Sequence, residues 1–333
     1  MTTIKVILGY HARSGGDTVV YDDNYRFVFD VACEEYDWLV VYESMPEDSG
    51  GTIVKGAEPL KCPKERTIFC TWEPTSIKCY SKAFTRQFGH LLTNRPPEAE
   101  RHPHYHLGRG YFFWFNNRTL EENRTVVIPK KTKLISAVCS SKQMRHTRHH
   151  DRFRLLGELK AKLPGFDWFG RGVQAFGKKY EVLDPYKYHV AVENHIAADF
   201  WTEKIADALL CECLPFYAGD PNLSTVLPPE SFIPIPIDDP DRAIAIINQA
   251  IANNEYEKRQ SAILEAKRLL LEKYNFYAQV VALIEAEKNQ PITAVDSSAP
   301  VLIHNRRWIR LRHPSALFED LTYKLRLFFR RVG

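Results

Sequence analysis

Short apolar runs recur along this chain at helix-length intervals, and that rhythm limits its fold more than any other feature. The runs at residues 4–8, 38–42, 66–71, 133–138, 188–192 and 215–217 are too short for buried helices and rich in β-branched and aromatic side chains. Such runs read as strands. Between them the pattern predicts helices over residues 25–33, 152–163, 202–213, 243–252 and 256–285. Strands alternating with helices build parallel sheets, so the expected class is α/β. At 333 residues the chain exceeds the roughly 250 at which single cores stop growing. A polar stretch at residues 116–129, with Asn-Asn-Arg and Glu-Glu-Asn-Arg, interrupts the rhythm before it restarts. Two Rossmann-like domains facing across a cleft are therefore expected, at 1–125 and 126–290. A linker and tail follow at 291–333.

Charge is distributed unevenly. The whole chain carries +4, yet residues 304–333 alone hold eight basic side chains against two acidic ones. Between the basic residues stand Trp308, Ile309, Leu311, Leu317, Phe318, Leu321, Leu325, Leu327, Phe328 and Phe329. A basic amphipathic helix of this kind can lie on an anionic membrane surface. Its plain alternative is a terminal helix docked on the body. The aromatic spacing of an RNA-binding module is missing, so no nucleic-acid partner is expected. The opening residues show no basic-then-apolar leader, and no run nears the ~20 apolar residues of a membrane span. Seven scattered cysteines without framework spacing point to a reducing compartment. The expectation is a cytoplasmic protein, peripheral at most on the inner face of a membrane.

The richest chemistry lies between residues 186 and 234. A strand ending in Glu193-Asn194 leads through a loop to a helix with Thr202 as N-cap and Glu203 and Lys204 in its first turn. Ligands of open α/β sheets sit beyond the carboxyl ends of strands. A helix start offers N–H groups and the positive end of a dipole to an anion. Lysine in that turn opposes the dipole preference, and a bound diphosphate would account for it. The plain alternative is a solvated Glu-Lys pair on an exposed helix.

In its wider context this segment resembles the α-1,3/4-fucosyltransferases, glycosyltransferase family 10. The residues that carry the resemblance are Tyr186-Lys187-Tyr188, Val192-Glu193-Asn194 and Asp199-Phe200-Trp201-Thr202-Glu203-Lys204. Ala208-Leu209, Pro215 and Gly219 follow at compatible spacing. The second domain is covered well and the first only thinly. The resemblance implies a GT-B fold, a GDP-sugar donor (usually GDP-fucose), and transfer with inversion and no obligatory metal. It implies that the second domain binds the nucleotide sugar and the first lies on the acceptor side. Lys204 would neutralise the leaving diphosphate, with Glu193, Asn194, Thr202 and Glu203 positioning ribose or sugar. Phe200 stands where the family has a tyrosine whose hydroxyl reaches the donor phosphates, so that bond is absent here. His195 replaces the usual Ser or Thr and reads as a packing residue.

Two weaker matches extend the site. Ala137-Val138-Cys139-Ser140-Ser141 resembles a strand end after which the family has an arginine that clamps the phosphates. Arg148 fits by spacing, with Arg145 as the alternative; arginine suits the task because its planar fork donates two bonds at once. Thr67 to Pro74 resembles the strand end that carries the family's general base, which makes Glu73 the candidate catalytic residue. The plain reading of Glu73 is a loop-entrance residue before Pro74.

The histidines at 102, 104 and 106, and at 146, 149 and 150, lack the acidic or cysteine partners of a dedicated metal site, so no metal is expected. Cys211 and Cys213 read as packing. No glycine-rich dinucleotide loop or Walker loop is present. The leading expectation is an inverting transferase that moves fucose from GDP-fucose to a hydroxyl of a surface or lipid-linked glycan, with no cofactor beyond the donor. One alternative keeps the mechanism with another nucleotide sugar. The other is a catalytically silent, membrane-associated glycan-binding module.

Overall fold

The computed structural model describes residues 1–8, 17–45, 57–100, 102–109, 116–141, 148–291 and 301–332, with side chains as far as residue 325 in the last segment. Elements are numbered in chain order. The first stretch contains β1 (Thr2–Leu8), β2 (Thr18–Tyr21), β3 (Tyr25–Val28), β4 (Trp38–Tyr42), β5 (Ala57–Pro59), β6 (Thr67–Thr71), α1 (Lys82–Thr85), β7 (His90–Thr93) and β8 (Tyr105–Leu107). Next come α2 (Leu120–Thr125), β9 (Lys133–Val138), α3 (His149–Lys162), β10 (Phe166–Phe169), β11 (Tyr186–Val192), α4 (Glu203–Leu210), β12 (Leu214–Ala218) and β13 (Ile233–Pro234). The chain ends with α5 (Pro240–Ala252), α6 (Glu255–Lys258), α7 (Gln260–Glu272), α8 (Phe276–Glu287), β14 (Leu302–His304), α9 (Arg306–Arg312) and α10 (Pro314–Val332). Two compact units result, residues 1–108 with 280–333, and residues 109–279.

The first unit is built on a sheet of order β2-β3-β1-β4-β6-β7-β8. All neighbours are parallel except the β2–β3 hairpin. Residues 25–33, expected as helix, instead begin with β3. Tyr25 and Phe27 are buried while Arg26 is exposed, the period of two that a strand imposes. Asp22 and Asp23 both take positive φ, 51° and 50°, the backbone a tight hairpin requires.

The tail belongs to this unit. β14 pairs antiparallel with β5, and Ile303, Ile309 and Ala316 join Leu39, Phe69 and Phe84 in its core. Each buried isoleucine contributes about 1.5–3 kcal/mol, which is why the segment docks. Trp308 stacks on His304 at 3.6 Å between ring centroids, so Trp308 and Ile309 leave the exposed stripe. Leu317, Phe318, Leu321 and Leu325 remain about half exposed or more. The expected linker overlaps residues 292–300, which lie outside the described residues, as do the side chains of Leu327, Phe328 and Phe329.

The second unit has a wholly parallel sheet of order β10-β9-β11-β12-β13. In order of appearance this is 2-1-3-4-5, whose direction of winding reverses between β9 and β11. The unit begins earlier than sequence texture suggests, at residue 109 instead of 126. The polar residues near 116 are buried partners, not a linker. Asn116 N–H donates to Asp207 Oδ1 at 2.9 Å, and Arg118 forks onto Asp184. Asn123 is fully buried. The single helix expected over 256–285 is three. Asn275 interrupts it, its amide donating to Leu271 O at 3.0 Å while its Oδ1 accepts from Ala278 N–H at 3.0 Å. All seven cysteines are free, Cys211 and Cys213 buried among apolar neighbours as expected. Among the described residues no helix is long and apolar enough to cross a membrane.

Candidate active site

The switch point between β9 and β11 opens, at the carboxyl ends of the strands, onto the loops that carry most of the expected site. Glu193 follows β11 directly and is fully buried. Its carboxylate accepts from Thr202 N–H at 2.9 Å and from the Thr202 hydroxyl. Thr202 caps α4 as expected, with its hydroxyl oxygen accepting from Lys204 N–H. The Lys204 ammonium then folds back, 3.2 Å from Glu193 Oε2, 3.1 Å from Glu203 Oε1 and 3.0 Å from Thr202 Oγ1. Its side chain keeps 18% exposure, so one cation is held at the helix start with an open side.

The electrostatics follow from this packing. Burial works against the Lys204 charge, yet Glu193 and Glu203 hold its pKa above the ordinary value. Burial pushes the Glu193 carboxyl up, with Lys204 pulling the other way. Burial would also raise Glu203, but the Lys204 and Lys179 ammonium groups outweigh it and bring that carboxyl down to about 2. The result is a fixed set of paired charges, not a solvated Glu-Lys pair.

Asn194 organises the cations on the other side of the switch point. Its carbonyl accepts from Arg148 N–H at 3.0 Å, and its Oδ1 accepts from Arg152. Arg152, in the first turn of α3, is 6% exposed, and its Nε has no partner among the described residues. Sequence reasoning missed it, although it stands one helical turn beyond Arg148. Arg148 is 3.0 Å from Asp151 and partly exposed. Arg145 lies outside the described residues. Phe200 is buried with its ring edge-on to His195 at 5.3 Å.

A cavity of about 440 Å³ lies beyond the ends of β12 and β13, lined by Arg148, Tyr217, Gly219, Asp220, Phe232 and Ile235 among others. Asp220 was also missed. Its Oδ1 accepts from Asp199 and Asn222 N–H at 2.9 and 2.8 Å. Its Oδ2 is buried without a partner among the described residues.

Glu73 belongs to the first unit and stands two residues past β6, at a strand carboxyl end as expected. Its side chain is exposed while its backbone is fixed on both sides. Glu73 N–H donates to Glu43 Oε1 at 3.1 Å, and Glu73 O accepts from Arg95 Nε at 2.7 Å. Glu43, buried just past β4 with φ 65°, also accepts from Trp72 N–H, the Thr71 hydroxyl, Lys78 and Tyr80. A lone acid after an apolar strand was the only sequence signal for this anchor.

A crystal structure of an α1,3-fucosyltransferase superposes with a TM-score of 0.50 at 16% identity, covering 88% of this chain and 91% of that one. A structure of an α1,3-fucosyltransferase with GDP-fucose gives 0.43 at 15%, over 82% and 92%. Sucrose-phosphate synthase from Thermosynechococcus elongatus gives 0.48 at 7%, over 86% and 98%. The first of these likenesses shows the fold, and with the two parallel-sheet units that fold is of the GT-B class. Residues 128–256 match the model of glycosyltransferase family 10 (fucosyltransferase), C-terminal part. That match spans the segment that carries the sequence resemblance, and on it the chain is read as a glycosyltransferase.

Proposed function

We propose that this protein transfers fucose from GDP-fucose to a hydroxyl of a glycan, with inversion at the anomeric carbon and no catalytic metal. The observation that carries this reading is the Lys204 ammonium at the first turn of α4, beyond the carboxyl end of β11, within the segment that matches the fucosyltransferase family. Three cations, Lys204, Arg148 and Arg152, supply the positive charge a diphosphate needs. Glu193 has both oxygens engaged and acts as a positioning residue for Thr202 and Lys204. Asn194 sets Arg148 and Arg152, while Thr202 and Glu203 border the sugar and Phe200 supplies an apolar wall. The cavity beside Arg148 takes the base, where Asp220 Oδ2 can accept from the ring and amino N–H groups of guanine.

In the transfer, Glu73 takes the proton of the acceptor hydroxyl as that oxygen bonds to the anomeric carbon. The bond from that carbon to the phosphate oxygen breaks, and its electron pair leaves with GDP. Lys204 offsets the charge that builds there. General base help of this kind is worth about 10²–10⁴-fold. The exposed face of α10 with Leu317, Phe318, Leu321 and Leu325, in a basic tail, supports peripheral contact with an anionic inner membrane surface. A lipid-linked or surface glycan made in the cytoplasm is the acceptor on this reading.

Thermal melting with GDP-fucose, GDP-mannose, a UDP-sugar and CMP-sialic acid tests the donor. A ligand at 100 times its Kd stabilises by about 2.7 kcal/mol, so GDP-fucose should raise Tm most. Phe200, lacking a hydroxyl, favours one second reading, a different nucleotide sugar. A shift with the UDP-sugar and none with either GDP compound would establish that reading and remove the first.

A further inference from the structure

Side chains that the transfer does not use converge at the edge of the first-unit sheet. His90 opens β7, and His106 lies on the neighbouring edge strand β8. His90 Nδ1 is 3.2 Å from His106 Nε2. The carboxylate of Glu287, the last residue of α8, is 4.0 Å from that Nε2, and ligand atoms of all three lie within 4.8 Å of one another. Two nitrogens bound to a tetrahedral zinc at about 2.0–2.1 Å stand about 3.3 Å apart, so the histidine pair already has the spacing. Rotation of the flexible Glu287 side chain would close the remaining gap.

The tautomer agrees with this geometry. His90 Nε2 is 2.9 Å from the carbonyl oxygen of Glu65. Donating a proton there leaves the lone pair on Nδ1, the outer-shell arrangement that orients metal-binding histidines.

We propose that His90 Nδ1, His106 Nε2 and the Glu287 carboxylate form a site for a divalent transition ion, zinc fitting best, with water in the fourth position. Two imidazoles and a carboxylate suit that ion. Its role is structural. His90 pairs with Ile68 of β6, five residues before Glu73, about 16 Å along a strand. The ion would staple the end of α8 to an otherwise open sheet edge. The proposal is independent of the sugar-transfer reading.

Chelator-treated full-length protein, titrated with Zn²⁺ by calorimetry and with Co²⁺ as a spectroscopic probe, tests it. One ion per chain and the visible absorption of tetrahedral Co²⁺ are expected. His106→Ala and Glu287→Gln should each weaken Zn²⁺ binding at least about tenfold, since even outer-shell losses cost 10–100-fold. His104→Asn, on the exposed neighbour, should leave it unchanged. His106 and Glu287 are partly exposed, so both variants should fold, which circular dichroism of the metal-free proteins checks. No stoichiometric uptake by the wild type, or equal uptake by His106→Ala, overturns the proposal and leaves a simple histidine–histidine hydrogen bond.

Discussion

His189 gives the second unit an acid sensitivity that can be calculated. The residue sits within β11, 3% exposed, with Nδ1 2.9 Å from Ser136 Oγ on β9. Burial, aided by the Lys179 ammonium, lowers its pKa from 6.5 to about 3. Below pH 6.5 the unfolded chain takes up a proton that the folded chain refuses. Stability is therefore full above that pH and falls as the pH drops toward 3. Each pH unit in the window costs about 1.4 kcal/mol, so about 2 kcal/mol is lost at about pH 5. Hydrogen exchange of residues 186–192, corrected for intrinsic rates, reads this locally, as a two-unit chain need not unfold in one step. His189→Gln retains an amide for Ser136 and removes the titration. Its loss between neutral pH and about pH 5 should be smaller by about 2 kcal/mol. Equal losses in the two proteins would refute the assignment.

Glu73→Gln should bind GDP-fucose like the wild type while transfer falls about 10²–10⁴-fold; parallel loss of binding by calorimetry would make Glu73 structural. Lys204→Met strands the buried Glu193 charge, so Tm should fall with a cost of about 3–5 kcal/mol. Adding Glu193→Gln should restore most of that stability without restoring GDP binding. An alanine Cβ at Gly219 would lie 2.1 Å from Tyr217 Oη and 2.7 Å from Glu193 Cγ. Gly219→Ala should therefore cost about 1–3 kcal/mol in denaturant melts. Thr202→Ala loses both the helix cap and the latch on Glu193, at about 1 kcal/mol or more, while Thr202→Ser should retain both.

How much of the site was legible depended on how locally it is built. Thr202, Glu203 and Lys204 are consecutive, and a cap followed by a charged first turn is a local pattern. Their strand-to-helix context is local too, so its position at a sheet's carboxyl end could be inferred. Arg152, Asp220 and Glu43 carried no comparable pattern. Each matters because burial and one distant partner make it so: Arg152 meets Asn194, Asp220 meets Asp199, and Glu43 meets Tyr80. The boundary moved for the same reason, since Asn116 and Arg118 look like linker residues until Asp207 and Asp184 are seen beside them.

Apolar periodicity and one contiguous motif determined by themselves that this chain builds parallel α/β sheets and presents Lys204 at a helix start. Both signals arise from neighbours along the chain, where backbone geometry is decided. Only the tertiary structure decided that Glu193 is buried against Thr202 and Lys204, that the tail is part of the first core, and that His90, His106 and Glu287 meet. Those outcomes depend on which distant side chains share a desolvated space, and linear order does not encode that.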